Sequence, residues 1–337
     1  MAAAPEQTDP AELPPERHEL LAKVASLYYE DNLTQAEIAA RVGVSRSSVS
    51  RLLSEARDMG VVHISIRWPA DTTGDLSTQL AQHYPGVEVH VVRAGGRGYT
   101  QTVEVLGGVA ASLLEDKLKD GDVLGISWHT GVYQVAEAFR AARKLGVKVV
   151  QLTGSTGVIN PVIDGPDLAR WLAQILGGQY HYIPAPLIVD SPSTRNALLK
   201  GRTISERLEM AYQCNMALVG IGTVFPPLCN LYQLGYLTES QLDDIVEQGG
   251  VGEILTYFYD IEGKVLPLPI HERTIGLPLE RLRDVPTVIG VAAGKEQAQA
   301  IVGALRGGYI TCLVIDDEAA NKVLAITEQM AGGRDEG

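Results

Sequence analysis

Residues 33–64 read LTQAEIAARVGVSRSSVSRLLSEARDMGVVHI, and this stretch decides the fold expected for the N-terminal part of the chain. Thr34, with a glutamate three residues later, has the pattern of a capping box and predicts a short helix that ends at Gly43. Ser45 predicts the N-cap of a following helix. The alternating segment 61–68 predicts a strand or wing. Together these features are typical of a winged helix-turn-helix.

The second helix of this motif has a polar outer face suited to DNA. The predicted inner, apolar face consists of Ile38, Ala39, Val44, Val49 and Leu52. Arginine can bind guanine through two hydrogen bonds, and short hydroxyl side chains can bind phosphates or base edges. The predicted DNA contacts are Thr34, Gln35, Ser45, Arg46, Ser47, Ser48, Ser50 and Arg51. An ordinary helical hairpin with a solvated polar face is the alternative.

The local charge of the motif is opposite in sign to that of the whole chain. The chain has 28 Lys and Arg against 41 Asp and Glu, a formal net charge of −13. Between residues 34 and 57, however, four arginines stand against two glutamates. This modest excess predicts a moderate number of phosphate contacts, and binding that is strengthened when two or more copies occupy one site.

The composition is that of a soluble globular protein with one small and one large domain. The 337 residues are 45% hydrophobic and 20% charged. No apolar stretch reaches the roughly 18 residues of a membrane span. Residues 1–15 lack the features of a secretory signal, and we expect a disordered lead-in there. Three widely spaced cysteines fit a reducing cytoplasm and argue against a disulfide framework or a structural zinc site.

The DNA-binding domain is predicted over residues 16–68, and a polar linker follows at 69–74. Beyond the linker, short apolar strands alternate with helices. One of these helices is predicted over residues 131–146. The predicted strands are VEVHVV at 87–92, DVLGIS at 122–127, KVVQLTG at 148–154, HYIPAPLIV at 181–189, MALVGIG at 216–222, TVIGVAAG at 287–294 and TCLVID at 311–316. This alternation predicts a Rossmann-like α/β domain over residues 75–330 with a largely parallel sheet.

The loops at the ends of these strands are rich in glycine and hydroxyl residues, and ligands bind at this edge of such sheets. GISWHTGV follows a strand and opens a helix, the N–H groups of which can bind an anion such as phosphate. Each loop alone is more typical of a plain turn, but several at one edge predict a site for a polar ligand, with a phosphorylated one favoured. The candidate contacts in these loops are Ser127, His129, Thr130, Gly222 and Lys295.

Known catalytic signatures are incomplete in this chain. GISWH has His129 where a nucleophile elbow needs glycine. GVAAGKE is one residue short of a phosphate-binding loop and has Glu296 where serine or threonine is needed. GIGTVF lacks the third glycine of a dinucleotide fingerprint, and the histidines show no metal-ligand spacing. We therefore predict no catalytic residue, no cofactor and no metal site.

From about residue 20 to residue 324 the chain resembles the SorC/DeoR-type family of sugar-binding bacterial transcriptional regulators. The resemblance is carried by LTQAEIAARVGVSRSSVSRLLSEAR, GDVLGISWHTGV, YIPAPLIVDSP, MALVGIGTV, GGVGEILTYFYDIEGKV and LRGGYITCLVIDDEAANKVL. It implies an N-terminal winged helix-turn-helix and a C-terminal effector domain similar to sugar-phosphate isomerases. Members are usually tetramers, and their effector is usually a phosphorylated sugar.

The resemblance also implies which residues contact the effector. The family's phosphate loop maps onto Ser127, Trp128, His129, Thr130 and Gly131, and its second loop maps onto Thr153, Gly154 and Ser155. An acidic sugar contact maps onto Glu253 and a basic contact onto Lys295, and Asp164 completes the predicted set. Relatives often have glycine, threonine or serine in place of Trp128 and His129, and some have an arginine in the second loop. A sugar phosphate and a free sugar or polyol are therefore both open as effectors.

The combined prediction is a cytoplasmic DNA-binding regulator of carbohydrate metabolism, tetrameric or at least dimeric, that binds double-stranded operator DNA and a sugar-derived effector and does not bind membranes. An effector can shift such a protein only if it binds the DNA-competent and incompetent states with different affinities. The alternatives are a sugar-phosphate isomerase or deaminase-like enzyme with a DNA-binding arm, and a protein-interaction module.

Overall fold

The computed structural model describes residues 14–59, 61–62, 72–141, 143–157 and 165–332. The chain divides into two compact units, Met1–Arg67 and Trp68–Gly337. The predicted lead-in before residue 14, most of the predicted wing and half of the predicted linker lie outside the described residues. These elements, and the domain limits drawn with them, stay predictions.

The first unit contains the helices α1 Pro15–Tyr29, α2 Gln35–Val42 and α3 Arg46–Asp58. The predicted capping box of α2 is present: the Thr34 N–H donates to Glu37 Oε2 at 2.8 Å, and the Glu37 N–H donates to Thr34 Oγ1 at 3.4 Å. Gly43 ends α2 with a φ of 76°, a left-handed conformation that glycine adopts without steric cost. Ser45 Oγ caps α3 by accepting from the Ser48 N–H at 3.1 Å. The helix-turn-helix prediction is confirmed in its helices and its turn.

The apolar faces of these three helices meet in one small core. Its buried members are Leu21, Val24, Ala25, Ile38, Val49, Leu52, Leu53 and Ala56. Ala39 and Val44 are partly buried against the same core. All five residues predicted for the inner face therefore lie on it, and Arg46, Arg51 and Arg57 of α3 are left exposed.

The second unit is built on the strands β1 Glu88–Val92, β2 Val123–Ile126, β3 Lys148–Gln151, β4 Gln179–His181, β5 Met216–Gly220, β6 Gly222–Thr223, β7 Gly250–Ile254, β8 Tyr257–Asp260, β9 Thr287–Val291 and β10 Cys312–Asp316. Seven of them form one sheet in the order β1-β10-β9-β5-β2-β3-β4. Every pairing in this sheet is parallel. The prediction of a parallel α/β domain is confirmed.

The helices of this unit are α4 Gly74–His83, α5 Tyr99–Lys117, α6 Thr130–Ala138, α7 Gly165–Leu176, α8 Pro192–Leu199, α9 Arg202–Tyr212, α10 Asn230–Gln233, α11 Glu239–Glu247, α12 Ala298–Arg306 and α13 Asp317–Gly332. Ala217 and Val219 of β5 pack in a core cluster with α4, α12 and α13, whereas Met216 and Leu218 pack in a second cluster with α5, α6 and α7. Both faces of the sheet are thus buried, which explains its continuous apolar strands. No helix in the described ranges is long and apolar enough to cross a lipid bilayer.

A smaller antiparallel sheet of β6, β7 and β8 follows the carboxyl end of β5. Gly222 of β6 pairs with Glu253 of β7. A third apolar cluster lies in this part of the unit and includes Phe258 of β8, Leu242 and Ile245 of α11 and Trp128. This sheet was not expected from the sequence.

Two predicted elements end well before their predicted limits. The strand predicted at 181–189 ends at His181, because Pro184 and Pro186 have no N–H to donate to a strand ladder. The helix predicted over 131–146 ends at Ala138. Phe139 adopts an extended backbone with ψ 129° and buries its ring in the core, which stops the helix there.

Candidate functional site

The first candidate site is the outer face of α3 near its N-terminus. Arg46, Ser47, Ser50 and Arg51 are exposed, and Ser48 is half-buried. Ser45 Oγ lies 2.9 Å from Ser47 Oγ and 2.8 Å from Ser48 Oγ. Three hydroxyl groups therefore gather at the positive end of the helix, where N–H groups and the helix dipole favour a phosphate.

The charges of α3 leave this face positive. Glu55 is paired with Arg17 of α1, so its negative charge is neutralised within the unit. Arg57 donates to Leu53 O at 3.3 Å, which ties it to its own helix. Arg46 and Arg51 consequently dominate the charge of the exposed face.

The two predicted contacts on α2 are placed differently from those on α3. Thr34 is exposed, but its hydroxyl group donates to Glu37 Oε2 at 2.7 Å as part of the cap. Gln35, the first residue of α2, is half-buried. Their contact with DNA stays a prediction, and the Thr34 hydroxyl would have to exchange its bond to Glu37 to bind a phosphate.

The second candidate site lies at the carboxyl edge of the parallel sheet. The strands β9, β5, β2 and β3 are consecutive neighbours in the sheet. Because parallel strands all end at the same edge, the loops that follow these four strands emerge side by side. The topology thus brings together the predicted contacts at 127–131, 153–155, Gly222 and Lys295.

The loop after β2 is organised around a buried imidazole. His129 caps α6, and its Nδ1 accepts from the Gly131 N–H at 3.1 Å, while Thr130 begins the helix. The side chain is 6% exposed, and burial lowers the pKa of His129 to about 4. The imidazole is therefore neutral at pH 7 and carries its proton on Nε2. A Cβ atom on Gly220 would overlap the ring, so the ring packs directly on the end of β5.

Ser127 and Trp128 of the same loop already have contacts within the protein. Ser127 is buried, and the Gly220 N–H donates to its Oγ at 3.3 Å. Trp128 is 7% exposed. It packs in an apolar cluster with Leu187, Cys229, Leu231, Leu237, Leu242, Ile245, Phe258, Leu266, Leu268 and Ile270. Trp128 therefore anchors the loop in the core, and its direct contact with an effector stays a prediction.

The loop after β3 is fixed by hydrogen bonds to two other segments. The Gly154 N–H donates to Ile275 O at 2.8 Å, and the Ser155 N–H donates to Ala185 O at 2.9 Å. The Thr153 hydroxyl group is fully buried and has no hydrogen-bond partner in the described part of the chain. Buried hydroxyl groups are normally hydrogen-bonded, so Thr153 has an unused capacity to bind a polar ligand.

Glu253 of β7 lies against Gly222 of β6. A Cβ atom on Gly222 would overlap the Glu253 carboxyl group. Glu253 Oε2 accepts from the Thr256 N–H at 3.0 Å, and burial raises the pKa of Glu253 to about 7. Near neutral pH the group can therefore both donate and accept a hydrogen bond, which suits a hydroxylated ligand.

Lys295 is exposed and begins a short 3₁₀ helix after β9. The loop that carries it is fixed by Asp316 at the end of β10. Asp316 is buried, and it accepts from the Gly294 N–H at 2.6 Å and from the Ala319 N–H at 3.0 Å. The sequence analysis did not single out Asp316. Its signal was an acidic residue directly at the end of the apolar strand TCLVID.

Known proteins resemble this chain in both units. The Sugar-bind family of sugar-binding domains matches residues 69–325, and region 4 of sigma-70 matches residues 11–58. The deoxyribonucleoside regulator of Bacillus subtilis (strain 168) is 32% identical over 309 residues, 92% of this chain and 98% of that protein. The chain belongs to the SorC/DeoR-type family of sugar-binding transcriptional regulators.

This SorC-type chain is also similar in fold to a solved structure of a relative. The sorbitol operon regulator of Klebsiella pneumoniae is 30% identical over 307 residues, 90% of this chain and 97% of that protein. Its full-length structure matches with a TM-score of 0.71 and covers 91% of this chain and 98% of that one. The chain is a DNA-binding transcriptional regulator of carbohydrate metabolism, and a sugar or sugar-phosphate effector in its C-terminal domain controls its operator affinity.

Other polar features of this regulator lie away from the candidate effector site. Glu88, His90 and Cys312 offer potential metal ligands within 4.8 Å of one another at β1 and β10. The Glu88 carboxylate is already paired with Lys117, the Nζ of which lies 2.6 Å from it. Burial raises the pKa of Cys312 to about 12, which favours the thiol over the thiolate that binds metals. We assign this group no role.

Two cavities are also separate from the strand-end loops. One of about 510 Å³ lies between α11 and residues 268–273, and one of about 280 Å³ lies beside Tyr212 and Arg281. Neither is lined by a predicted effector contact. Asp164, the remaining predicted contact, lies outside the described residues. The strand edge remains the better candidate, because buried polar groups from several loops converge there.

Proposed function

We propose that this regulator reads its operator with the N-terminal half of α3. Arg46 and Arg51 bind base edges or phosphates, and the hydroxyl groups of Ser45, Ser47, Ser48 and Ser50 bind phosphates. The exposure of both arginines beside a hydroxyl-rich helix N-terminus is the observation that carries this assignment. Thr34 and Gln35 complete the proposed interface at the start of α2.

We propose that the regulator acts in the cytoplasm as a homotetramer built on dimers. The positive charge of a single DNA-binding unit is modest, so high operator affinity requires several copies on one DNA. The mass of the free protein and of its operator complex, measured by analytical ultracentrifugation, tests this assembly.

We propose that the effector binds at the carboxyl edge of the parallel sheet. The carrying observation is that a neutral His129 and a Thr153 hydroxyl group without a partner among the described residues belong to the loops after two neighbouring strands, and that the buried Glu253 carboxyl group lies against Gly222. These groups bind hydroxyl groups well, and the exposed Lys295 is available for a phosphate. Ser127, Thr130, Gly131, Gly154, Ser155 and Gly222 shape the loops, and Asp164 belongs to the proposed set.

A thermal-shift panel of free and phosphorylated pentoses, hexoses and polyols is expected to contain a compound that stabilises the protein. A ligand that binds only the folded state at 100 times its Kd adds about 2.7 kcal/mol to the free energy of unfolding. We also propose that the chain is not an enzyme, so the same compounds should be recovered unchanged after incubation. Turnover at ordinary enzyme rates would support the isomerase-like alternative instead.

The variant Glu253→Gln is expected to change how stability depends on pH. Burial raises the pKa of Glu253 from 4.5 to about 7, so its stabilising contribution is complete below pH 4.5 and is lost as the pH rises to about 7. Glutamine does not titrate. The stability of the wild type relative to the variant should therefore fall between pH 5 and 8, by about 2–4 kcal/mol.

Urea unfolding at several pH values measures this difference, because the other titrating groups are common to both proteins and cancel. Glu104→Gln, an exposed position on α5, is the matched control and should run parallel to the wild type. A pH-independent difference between the wild type and Glu253→Gln would contradict the raised pKa.

A further inference from the structure

The tight turn between β7 and β8 has a backbone conformation that its residues do not favour. Leu255 and Thr256 join the strands with φ angles of 54° and 75°, and Ile254 pairs with Tyr257 across the turn. Two-residue turns with two positive φ angles normally use asparagine and glycine. A β-branched residue with positive φ is rare, because its side chain crowds the backbone. Strain of this kind concentrates at functional sites.

The strained turn holds the carboxyl group of the effector site. The Thr256 N–H donates to Glu253 Oε2 at 3.0 Å, and the side chains of both residues are buried. Because Glu253 lies against Gly222, the turn is next to the loop that follows β5. Glycine at position 256 would provide the same N–H without strain. The N–H alone therefore does not account for a threonine here.

The threonine side chain adds a hydroxyl group that no described residue of the chain uses. Thr256 Oγ1 is buried and has no hydrogen-bond partner within the described ranges. Thr153 Oγ1, at the end of β3, is also buried and without a hydrogen-bond partner among the described residues. Buried hydroxyl groups in folded proteins are nearly always hydrogen-bonded. Two hydroxyl groups without a partner among the described residues, one at the end of β3 and one in the turn beside the buried Glu253 carboxyl group, match the donors and acceptors of a polyhydroxylated ligand.

We propose that Thr256 is a specificity-determining residue of this regulator, and that its hydroxyl group hydrogen-bonds a hydroxyl group of a sugar or polyol effector held by Glu253. The inference deepens the proposed function and rests on it. The ligand supplies the hydrogen bond that Thr256 lacks in the free protein. An analogue without that hydroxyl group leaves Thr256 unpartnered again, so the residue selects for the hydroxylated ligand.

The test compares the full-length wild type with Thr256→Val and Thr256→Ser. Valine keeps the shape and β-branching of threonine but lacks the hydroxyl group, whereas serine keeps the hydroxyl group. The probes are glucitol, glucitol 6-phosphate, ribose 5-phosphate and 2-deoxyribose 5-phosphate, titrated calorimetrically together with any compound that stabilises the wild type in the thermal-shift panel. For a compound that binds the wild type, Thr256→Val should weaken binding about tenfold, and Thr256→Ser should stay within about threefold.

A measurement without ligand provides a second readout. Thr256→Val should melt at a higher temperature than the wild type when no ligand is present, because it removes an unpartnered buried hydroxyl group. A lower melting temperature would show that the hydroxyl group has a structural partner and would overturn the inference. Thr73→Val is the matched control for affinity, since the Thr73 hydroxyl is also buried and unpartnered but precedes α4.

The outcomes separate this inference from the proposed function. Equal affinity of the wild type and Thr256→Val for a compound that binds would overturn the role of Thr256 and leave the effector site standing. Failure of every probe and panel compound to bind the wild type would contradict the proposed effector site, and the inference with it. Weaker binding by both Thr256→Val and Thr73→Val would indicate a general packing effect and would also count against the inference.

Discussion

The double variant Arg46→Ala, Arg51→Ala is expected to lose operator binding almost completely while its melting temperature stays unchanged. Both side chains are exposed on α3, so their removal leaves the small core of the first unit intact. Each arginine contact to a base or phosphate contributes about 1–3 kcal/mol, so the pair should account for about 30-fold to 10⁴-fold in affinity. Fluorescence anisotropy with a DNA fragment selected by the wild-type protein measures this loss.

The salt dependence of the same titration distinguishes the two ways in which the arginines can act. Loss of phosphate contacts lowers the slope of log affinity against log salt concentration by about one per contact. Loss of base contacts instead relaxes the preference between operator variants. Arg202→Ala with Arg281→Ala is the matched control, because it removes the same charge from exposed positions of the second unit. Unchanged affinity of the α3 variant would favour a protein-interaction module.

The variant Gly220→Ala is expected to lower the melting temperature by about 2–12 °C and to abolish the effector's stabilising effect. The added methyl group would overlap the ring of His129. Overpacking of this kind lowers the free energy of unfolding by about 1–3 kcal/mol. Each kcal/mol lowers the melting temperature of a domain of this size by about 2–4 °C. Because the ring caps α6 through the Gly131 N–H, its displacement also moves the loop at 127–131.

The control for this variant is Gly108→Ala on α5. A Cβ atom at Gly108 would meet no other atom within 4 Å, and alanine favours a helix over glycine by about 1 kcal/mol. Gly108→Ala should therefore melt at the same or a higher temperature and keep its effector response. Differential scanning calorimetry with and without the stabilising compound measures both properties. An unchanged effector response in Gly220→Ala would show that the loop after β2 does not form the site.

The sequence predicted the helix-turn-helix well because its signals are local. The capping box at Thr34, the glycine at 43 and the serine cap at 45 each act through bonds to residues within four positions. Most strands of the parallel sheet were also predicted, because each of these is a largely apolar run in the sequence. The strand predicted at 181–189 was wrong beyond His181, because Pro184 and Pro186 cannot donate to a strand ladder.

The loops of the candidate effector site could be predicted from the sequence, but the surroundings of their side chains could not. Trp128 and His129 were expected to meet the ligand, yet Trp128 packs in an apolar cluster. Thr256 and Asp316 were not singled out at all. Their roles depend on neighbours that only folding provides, such as the Glu253 carboxyl group and the loop at Gly294. No periodicity in the sequence encodes such contacts.

The sequence by itself determined that a helix-turn-helix is followed by an α/β domain, and it predicted which helix contacts DNA and at which strand ends a ligand binds. These properties follow from caps and apolar alternation, which act between residues a few positions apart. Only the tertiary structure decided that His129 is buried and neutral, that the pKa of Glu253 is raised to about 7, and that the Thr256 hydroxyl group has no partner among the described residues. Burial sets each of these states, and burial depends on strands and loops that the chain brings together from distant positions.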